Sequence, residues 1–357
     1  MITPPKSKKA DYLSTNQVRW CSGCGDYHVL SALTSAWAAL ELPRHQIALI
    51  SGIGCSSRLP YYTDVFGFHT IHGRAPTVAL GLKLAKPDLS VWVITGDGDG
   101  LSIGANHLIH LCRRNPNITV LLFNNEIYGL TKGQVSPTSP QGLKTRSNPT
   151  GSVDTPLNAL ALAISSGATF VARVADTDLA MMRDIFQKAH QHQGVSFIEI
   201  YTNCVIFNDG AFLDTQKRQR RAQTCVILKE GEPLIFGTNK EKALHFQDFL
   251  PTIRSLKTDK KDSKEESSLL IHQPNREDTT YAYALAKLRP PHFPLALGIL
   301  RQVQKPVYTH PQSQAAHPST SQQAHTPTRS AKALEETFLK GSFYRKPQKK
   351  ASKNSPY

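Results

Sequence analysis

The stretch VWVITGDGDGLSIGANHLIHLCRRNPNITVLLFNN, residues 91–125, reads as strand, glycine-rich turn, helix and strand. VWVIT at 91–95 is β-branched and apolar, as a strand covered on both faces must be. Residues 103–114 space their apolar side chains along one helix face, and ITVLLF at 118–123 returns to a buried strand. A crossover of this length sets its two strands parallel. The alternation continues with the amphipathic stretch 178–191 and VSFIEIY at 195–201, so residues 12 to 250 are expected to form an α/β domain with a doubly wound, mostly parallel sheet. Ligands of such sheets bind at the carboxyl ends of the strands.

Two of those ends carry suggestive loops. In TGDGDGLSIG the glycines let the backbone approach a phosphate closely, and the helix at 103–114 is expected to point its N–H-rich start toward the anion. The next strand closes on Asn124 and Asn125, and Asn125 lies 28 residues after Asp97. One crossover therefore brings Asp97 and Asn125 to neighbouring loops. Hard oxygen ligands beside a phosphate-accepting loop describe a magnesium–diphosphate site, with two ordinary polar turns as the bland alternative.

Composition narrows the rest. The chain has 357 residues, 39% of them apolar, enough for one large domain of roughly 250 to 300 residues plus appendages. It holds no apolar run near the ~18 residues of a membrane span, and its first residues lack the apolar core of a secretion signal, so the expected location is cytoplasmic. Residues 1–14 read as a flexible amino terminus, 15–303 as the domain, about 256–268 as a solvated loop and 304–357 as a disordered basic tail. Of the net charge of +15, the segment 302–357 contributes +7, with nine Lys/Arg against Glu335 and Glu336. That tail could grip nucleic acid or an acidic protein, but it lacks interleaved aromatics apart from Phe343 and Tyr344, so nucleic acid is not expected as a partner.

Six cysteines in a reducing compartment argue for metal ligands, catalysis or core packing rather than disulfides. RWCSGCGDYHVL, residues 19–30, sets Cys21 and Cys24 three apart, a spacing open to a redox dithiol, a zinc knuckle or an iron–sulfur cluster. A cubane cluster needs four thiolates, and Cys21, Cys24, Cys55 and Cys204 each lie beside a turn or just after a strand. Cys225, after the Arg-rich QKRQRRAQ, is the rival for the fourth position, while Cys112 shares an apolar helix face with Leu108 and Leu111 and reads as core. His107 and His110 read as structural, and His69 carries no assignment.

GDGDGLSIGANHLIHLCRRN, NNEIYGLTKGQVSPTS and FHTIHGRAPTVALG together resemble the β subunit of 2-oxoacid:ferredoxin oxidoreductases, most of all the 2-oxoglutarate type, over residues 15 to 303. The GDG…NN pair is the thiamine diphosphate motif of that family. The resemblance implies magnesium held by Asp97, Asn125 and the carbonyl of Ile127. It implies a four-iron four-sulfur (4Fe-4S) cluster on Cys21, Cys24, Cys55 and Cys204. It sets thiamine diphosphate against Ile53, Gly54, Cys55, Ser56, His72, Gly96, Gly98, Asp99, Gly129 and Leu130, with His72 binding the diphosphate or aiding proton transfer. Lys132 and Arg58 are the candidate partners for the second carboxylate of a dicarboxylic substrate, and Lys132 favours 2-oxoglutarate over pyruvate.

The expected reaction is oxidative decarboxylation of 2-oxoglutarate to succinyl-CoA and CO2, with coenzyme A as co-substrate and ferredoxin as acceptor. The glutamate that activates the cofactor in this family sits on a second domain, which this chain lacks. The resemblance therefore implies an α subunit, in an αβ or α2β2 complex. A pyruvate-specific member of the class and a thiamine diphosphate decarboxylase or carboligase without redox function are the competing enzymes.

Overall fold

Burial explains the strands before topology does. Every residue of Ile118–Asn124 and Val195–Tyr201 is buried, and Ser90–Gly96 is buried but for its ends, so these segments run under helices on both sides. The computed structural model describes residues 7–247, 250–256 and 269–309.

Eleven strands are described: β1 (Ile47–Ser51), β2 (Phe66–His69), β3 (Ser90–Gly96), β4 (Ile118–Asn124), β5 (Phe170–Ala175), β6 (Val195–Tyr201), β7 (Cys225–Leu228), β8 (Ile235–Phe236), β9 (Lys242–Gln247), β10 (Leu250–Ser255) and β11 (Leu295–Gln302). Eight form one sheet in the order β2-β1-β3-β4-β6-β5-β11-β7. All neighbours in it are parallel except β11 and β5. β8, β9 and β10 form a small antiparallel sheet.

Successive strand residues feed opposite layers, as the pleat requires. Val91, Val93, Val120 and Leu122 pack with α2 (Ala75–Ala85), α4 (Ala105–Arg114) and α5 (Ala159–Ser165). Trp92, Ile94, Leu121 and Phe123 pack with α1 (Asp26–Ala39) and α6 (Leu179–Gln191). The doubly wound α/β fold is thus as the sequence suggests. Cys112 lies 1% exposed in the first layer beside Leu108 and Leu111.

Three expectations need correction. The helix after the glycine-rich turn does not start at 103. A one-turn helix, α3 (Asp97–Leu101), begins at Asp97 itself, and α4 follows from Ala105. Gly100 and Gly104 make this possible, because a Cβ on Gly104 would lie 2.5 Å from the Asp99 carbonyl and one on Gly100 3.0 Å from Thr95 Oγ1. The inner part of the expected flexible amino terminus is anchored: Lys9–Tyr12 form a 3-10 turn, Tyr12 is fully buried and its hydroxyl donates to the Leu42 carbonyl at 2.7 Å. At the other end, the chain beyond 303 stays attached as far as Tyr308, whose N–H donates to the Asn115 carbonyl at 3.2 Å. The rest of the expected tail, 310–357, and the loop at 257–268 lie outside the described residues.

Among the described residues no helix is long and apolar enough to cross a membrane.

Candidate active site

Register brings three loops together. Ser51 stands opposite Ile94 and Gly96 opposite Phe123, so β1, β3 and β4 end side by side and their following loops meet at one sheet edge. The cleft between those loops is lined by Ile53, Gly54, Cys55, Ser56, His72, Gly96, Asp97, Gly98, Asp99, Asn125, Ile127, Gly129 and Leu130. Every residue expected to hold the cofactor or its magnesium is in that lining. Asp26, Phe123, Tyr128 and Thr131 complete it and were not anticipated. Tyr128 was in principle findable: a Cβ on Gly98 would come within 2.2 Å of its ring, so GDG and NNEIY are matched in shape.

The chemistry of the cleft fits a cation with an anion. Asp97 is 3% exposed, and burial pushes its carboxyl up to about 6 against the hydroxyls of Ser136 and Thr138 and the Gly98 N–H, which favour the ion. A buried carboxylate with no basic side chain among those influences is what a divalent ion would offset. Asn125 Oδ1 accepts the Ile127 N–H at 3.1 Å, closing a tight turn in which Glu126 takes the left-handed φ of 57°. Asn208 Nδ2 donates to the Asn125 carbonyl at 2.9 Å and fixes this turn from the far side.

Asp99 also ties the loops of the cleft together. Its Oδ1 accepts from the N–H groups of Ile53 (3.0 Å) and Gly73 (2.8 Å) and lies 2.6 Å from His72 Nδ1, while Oδ2 accepts from Thr95 Oγ1 (2.6 Å). These four partners make Asp99 a brace between the loops, in addition to its place in the lining of the cleft. A Cβ on Gly52 would lie 1.8 Å from Asp99 Oδ2, which is why the chain is glycine there. His72 Nδ1 is thereby committed to Asp99, which fixes the ring and leaves Nε2 as its other nitrogen.

A second cavity adjoins the first. Cys21, Cys24, Cys55 and Cys204 all line it, together with Arg19, Trp20, Arg58, Lys132 and Phe207. Burial and neighbouring charges, chiefly Asp26, push the Cys24 thiol far up and the Cys55 thiol up to about 12, with Cys204 adding to both. Neither Cys24 nor Cys55 has the lowered thiol that marks a reactive cysteine. Among the described residues no three His, Cys, Asp or Glu side chains converge as a single metal ion needs. Cys225 is elsewhere: it is 3% exposed on β7 and lines a separate cavity with Asp178 and Arg221.

Neither Lys132 nor Arg58 lines the first cleft; both line the cysteine cavity. Arg58 Nε donates to the Tyr62 hydroxyl at 3.0 Å. Lys132 is exposed at a left-handed φ of 77° and takes part in no ion pair among the described residues. His69 Nδ1 lies 2.9 Å from Ser51 Oγ, and His107 Nε2 contacts the Arg74 guanidinium.

Comparison with known proteins agrees with this geometry. Residues 46–200 match the family model of the thiamine pyrophosphate enzyme, C-terminal TPP binding domain. The chain is 46% identical over 307 residues to the 2-oxoglutarate oxidoreductase subunit KorB of Mycobacterium tuberculosis, covering 86% of this chain and 81% of that protein. It is 38% identical to the 2-oxoglutarate synthase subunit KorB of Archaeoglobus fulgidus over 71% of this chain and 95% of the other. Among solved structures, a 2-oxoglutarate:ferredoxin oxidoreductase from Magnetococcus marinus, with 2-oxoglutarate, coenzyme A and succinyl-CoA bound, superposes with a TM-score of 0.69 at 32% identity, over 87% of this chain and 89% of that one. With the cleft, its glycine-lined turn and these relatives in agreement, the chain belongs to the β subunits of the 2-oxoacid:ferredoxin oxidoreductases.

Proposed function

We propose that this β subunit serves a 2-oxoglutarate:ferredoxin oxidoreductase that converts 2-oxoglutarate and coenzyme A to succinyl-CoA and CO2, releasing two electrons singly to two ferredoxins. One observation carries the reading: the diphosphate cleft and the four-cysteine cavity share a wall, since Asp26, Cys55, Asn125, Gly129 and Leu130 line both. A thiamine enzyme without redox function has no use for four thiols around an adjoining cavity.

Bound thiamine diphosphate supplies the electron sink for decarboxylating a 2-oxo acid. Asp97, the Asn125 side chain and the Ile127 carbonyl would hold magnesium, and Cys21, Cys24, Cys55 and Cys204 a 4Fe-4S cluster. The glycines of the GDG turn admit the diphosphate to the start of α3, and His72 Nε2 gives or takes a proton there. The glutamate facing the aminopyrimidine ring comes from the α subunit. Lys132, with no ion-pair partner among the described residues, binds the distal carboxylate, and Arg58 is held back by Tyr62.

The test is substrate-dependent reduction of a viologen dye by the complex with its α subunit. 2-Oxoglutarate with coenzyme A is expected to drive it and pyruvate to do so poorly; equal rates with pyruvate overturn the substrate assignment, and colourless, iron-free protein overturns the redox reading. A charge-assisted hydrogen bond in a sheltered site contributes about 1.5 to 3 kcal/mol, or roughly ten- to a hundredfold in specificity. Lys132→Ala is therefore expected to lower kcat/KM for 2-oxoglutarate by that factor and for pyruvate little. Alanine shares the lysine's left-handed backbone cost, so the exchange isolates the ammonium. Equal losses on both substrates would assign Lys132 to the carboxylate they have in common.

A further inference from the structure

Thr138 lies on the loop that follows β4, yet its hydroxyl reaches Asp97, a residue of the cleft. The oxygen is 2.7 Å from Asp97 Oδ2 and 2.9 Å from Asn124 Oδ1, and the residue is 1% exposed. A hydroxyl has one proton, and here two acceptors compete for it.

Their other partners decide the outcome. Asn124 Oδ1 already accepts the Glu126 N–H at 3.1 Å, and Asn124 Nδ2 donates to Glu199 Oε1 at 2.8 Å. That second bond fixes which end of the amide is oxygen, because the reverse would face oxygen to carboxylate. Asp97 is the anion of the pair, and bonds to ions are the stronger ones. The Thr138 proton therefore goes to Asp97. Behind Asn124, Glu199 accepts from Arg173 Nε at 2.7 Å, with both side chains all but inaccessible. Arg173, Glu199 and Asn124 thus form one buried hydrogen-bonded chain across β5, β6 and β4 that ends at Asn124 Oδ1, and Thr138 Oγ1 abuts that oxygen while giving its proton to Asp97 at the start of α3. The turn that carries Thr138 is itself pinned, for Ser139 Oγ accepts the Ser136 N–H at 2.8 Å and donates to the Glu126 carbonyl at 2.5 Å.

We infer that Thr138 is a positioning residue for the cation site: by holding Asp97 Oδ2 it fixes the rotation of the carboxylate that lines the cleft. The inference rests on the magnesium–diphosphate reading of the cleft. Partners standing behind a metal ligand are typically worth about ten- to a hundredfold in metal affinity.

The experiment titrates the complex of this chain and its α subunit with Mg2+ at fixed thiamine diphosphate, following bound cofactor by calorimetry. Thr138→Val keeps the shape and removes the donor; Thr138→Ser restores it. Valine is expected to raise the Mg2+ concentration for half-maximal binding about ten- to a hundredfold. Serine is expected to stay near the wild-type value, iron content to be unchanged, and turnover at saturating Mg2+ to recover. Should valine fail to fold, Thr138→Ala, which adds no bulk, takes its place in the same titration. The inference is overturned if the donor-less variant titrates like wild type, if serine fails as valine does, or if turnover stays low at saturating Mg2+. Failure of the underlying reading looks different, because wild-type protein would then bind thiamine diphosphate without any Mg2+ dependence.

Discussion

Alanine in place of Cys21, Cys24, Cys55 or Cys204 is expected to strip this chain of iron and drop electron delivery to ferredoxin or a viologen to background. The four residues arrive from three loops, 20–25, 53–56 and 203–207, and line one cavity. A Cβ placed on Gly129 would lie 3.5 Å from Cys204 Sγ and 3.8 Å from Cys55 Sγ, so these two sulfurs are no farther apart than those distances added. That packing favours neutral Cys24 and Cys55 in the apoprotein, because burial, the nearby Asp26 and the neighbouring cysteines push both thiols up. The iron of the proposed cluster would reverse the balance by supplying the positive charge, and each missing thiolate would leave that cluster short of a ligand. Cys112→Ala is the internal control: it removes one buried sulfur from an apolar layer and costs about 1 kcal/mol of packing. Cys225→Ala is expected to keep its iron, since Cys225 faces the cavity of Arg221 and Asp178. Iron per chain and the spectrum of the reduced protein decide the matter. Full iron in Cys204→Ala, or its loss in Cys225→Ala, would move the fourth ligand.

The parts of this molecule that follow local rules are legible in its sequence. Burial on both faces forces unbroken apolar runs, and the runs at 91–95, 118–123 and 195–201 lie within β3, β4 and β6. The glycines and carboxylates of GDGDG mark the cleft for a similar reason, because close backbone approach and hard ligands restrict the choice of residue. Arg173 and Glu199 are another matter. They sit inside strands among apolar neighbours, where their charges are tolerable only because they meet across β5 and β6, and no local pattern announces a pairing of that kind. Asp99 stands two residues from Asp97 and looks equivalent in the sequence, yet the fold surrounds it with donors from two other loops, so that it braces them while it lines the cleft. Thr138 belongs to a stretch without periodicity, so its place beneath Asp97 comes only from the three-dimensional course of the loop. β8 and β9 escape notice because a two-residue strand and a partly exposed one carry too little apolar pattern.

Asp97→Asn is expected to abolish magnesium-dependent cofactor binding and at the same time to make the cofactor-free protein more stable. Burial moves the carboxyl from 3.8 to about 6, which means the fold disfavours the ion that the unfolded chain carries freely. A displacement of that size corresponds to about 3 kcal/mol against folding at pH 7. Its sign follows from proton uptake. Between about pH 4 and 6 the folded protein holds a proton that the unfolded chain has lost, so the penalty grows as pH rises and is complete above about 6. Asparagine keeps the shape and can still accept from Thr138 while carrying no charge, so it escapes the penalty. The apoprotein should then unfold at a higher temperature than wild type at pH 7, and the two should converge near pH 4. Adding Mg2+ with thiamine diphosphate should reverse the order, because only the aspartate gains the charge that offsets its burial. Thermal unfolding of both proteins at the two pH values, with and without Mg2+ and cofactor, measures each arm. A less stable apo variant would mean that Asp97 already has a compensating partner within the fold, and unchanged cofactor binding would remove Asp97 from the cation site altogether.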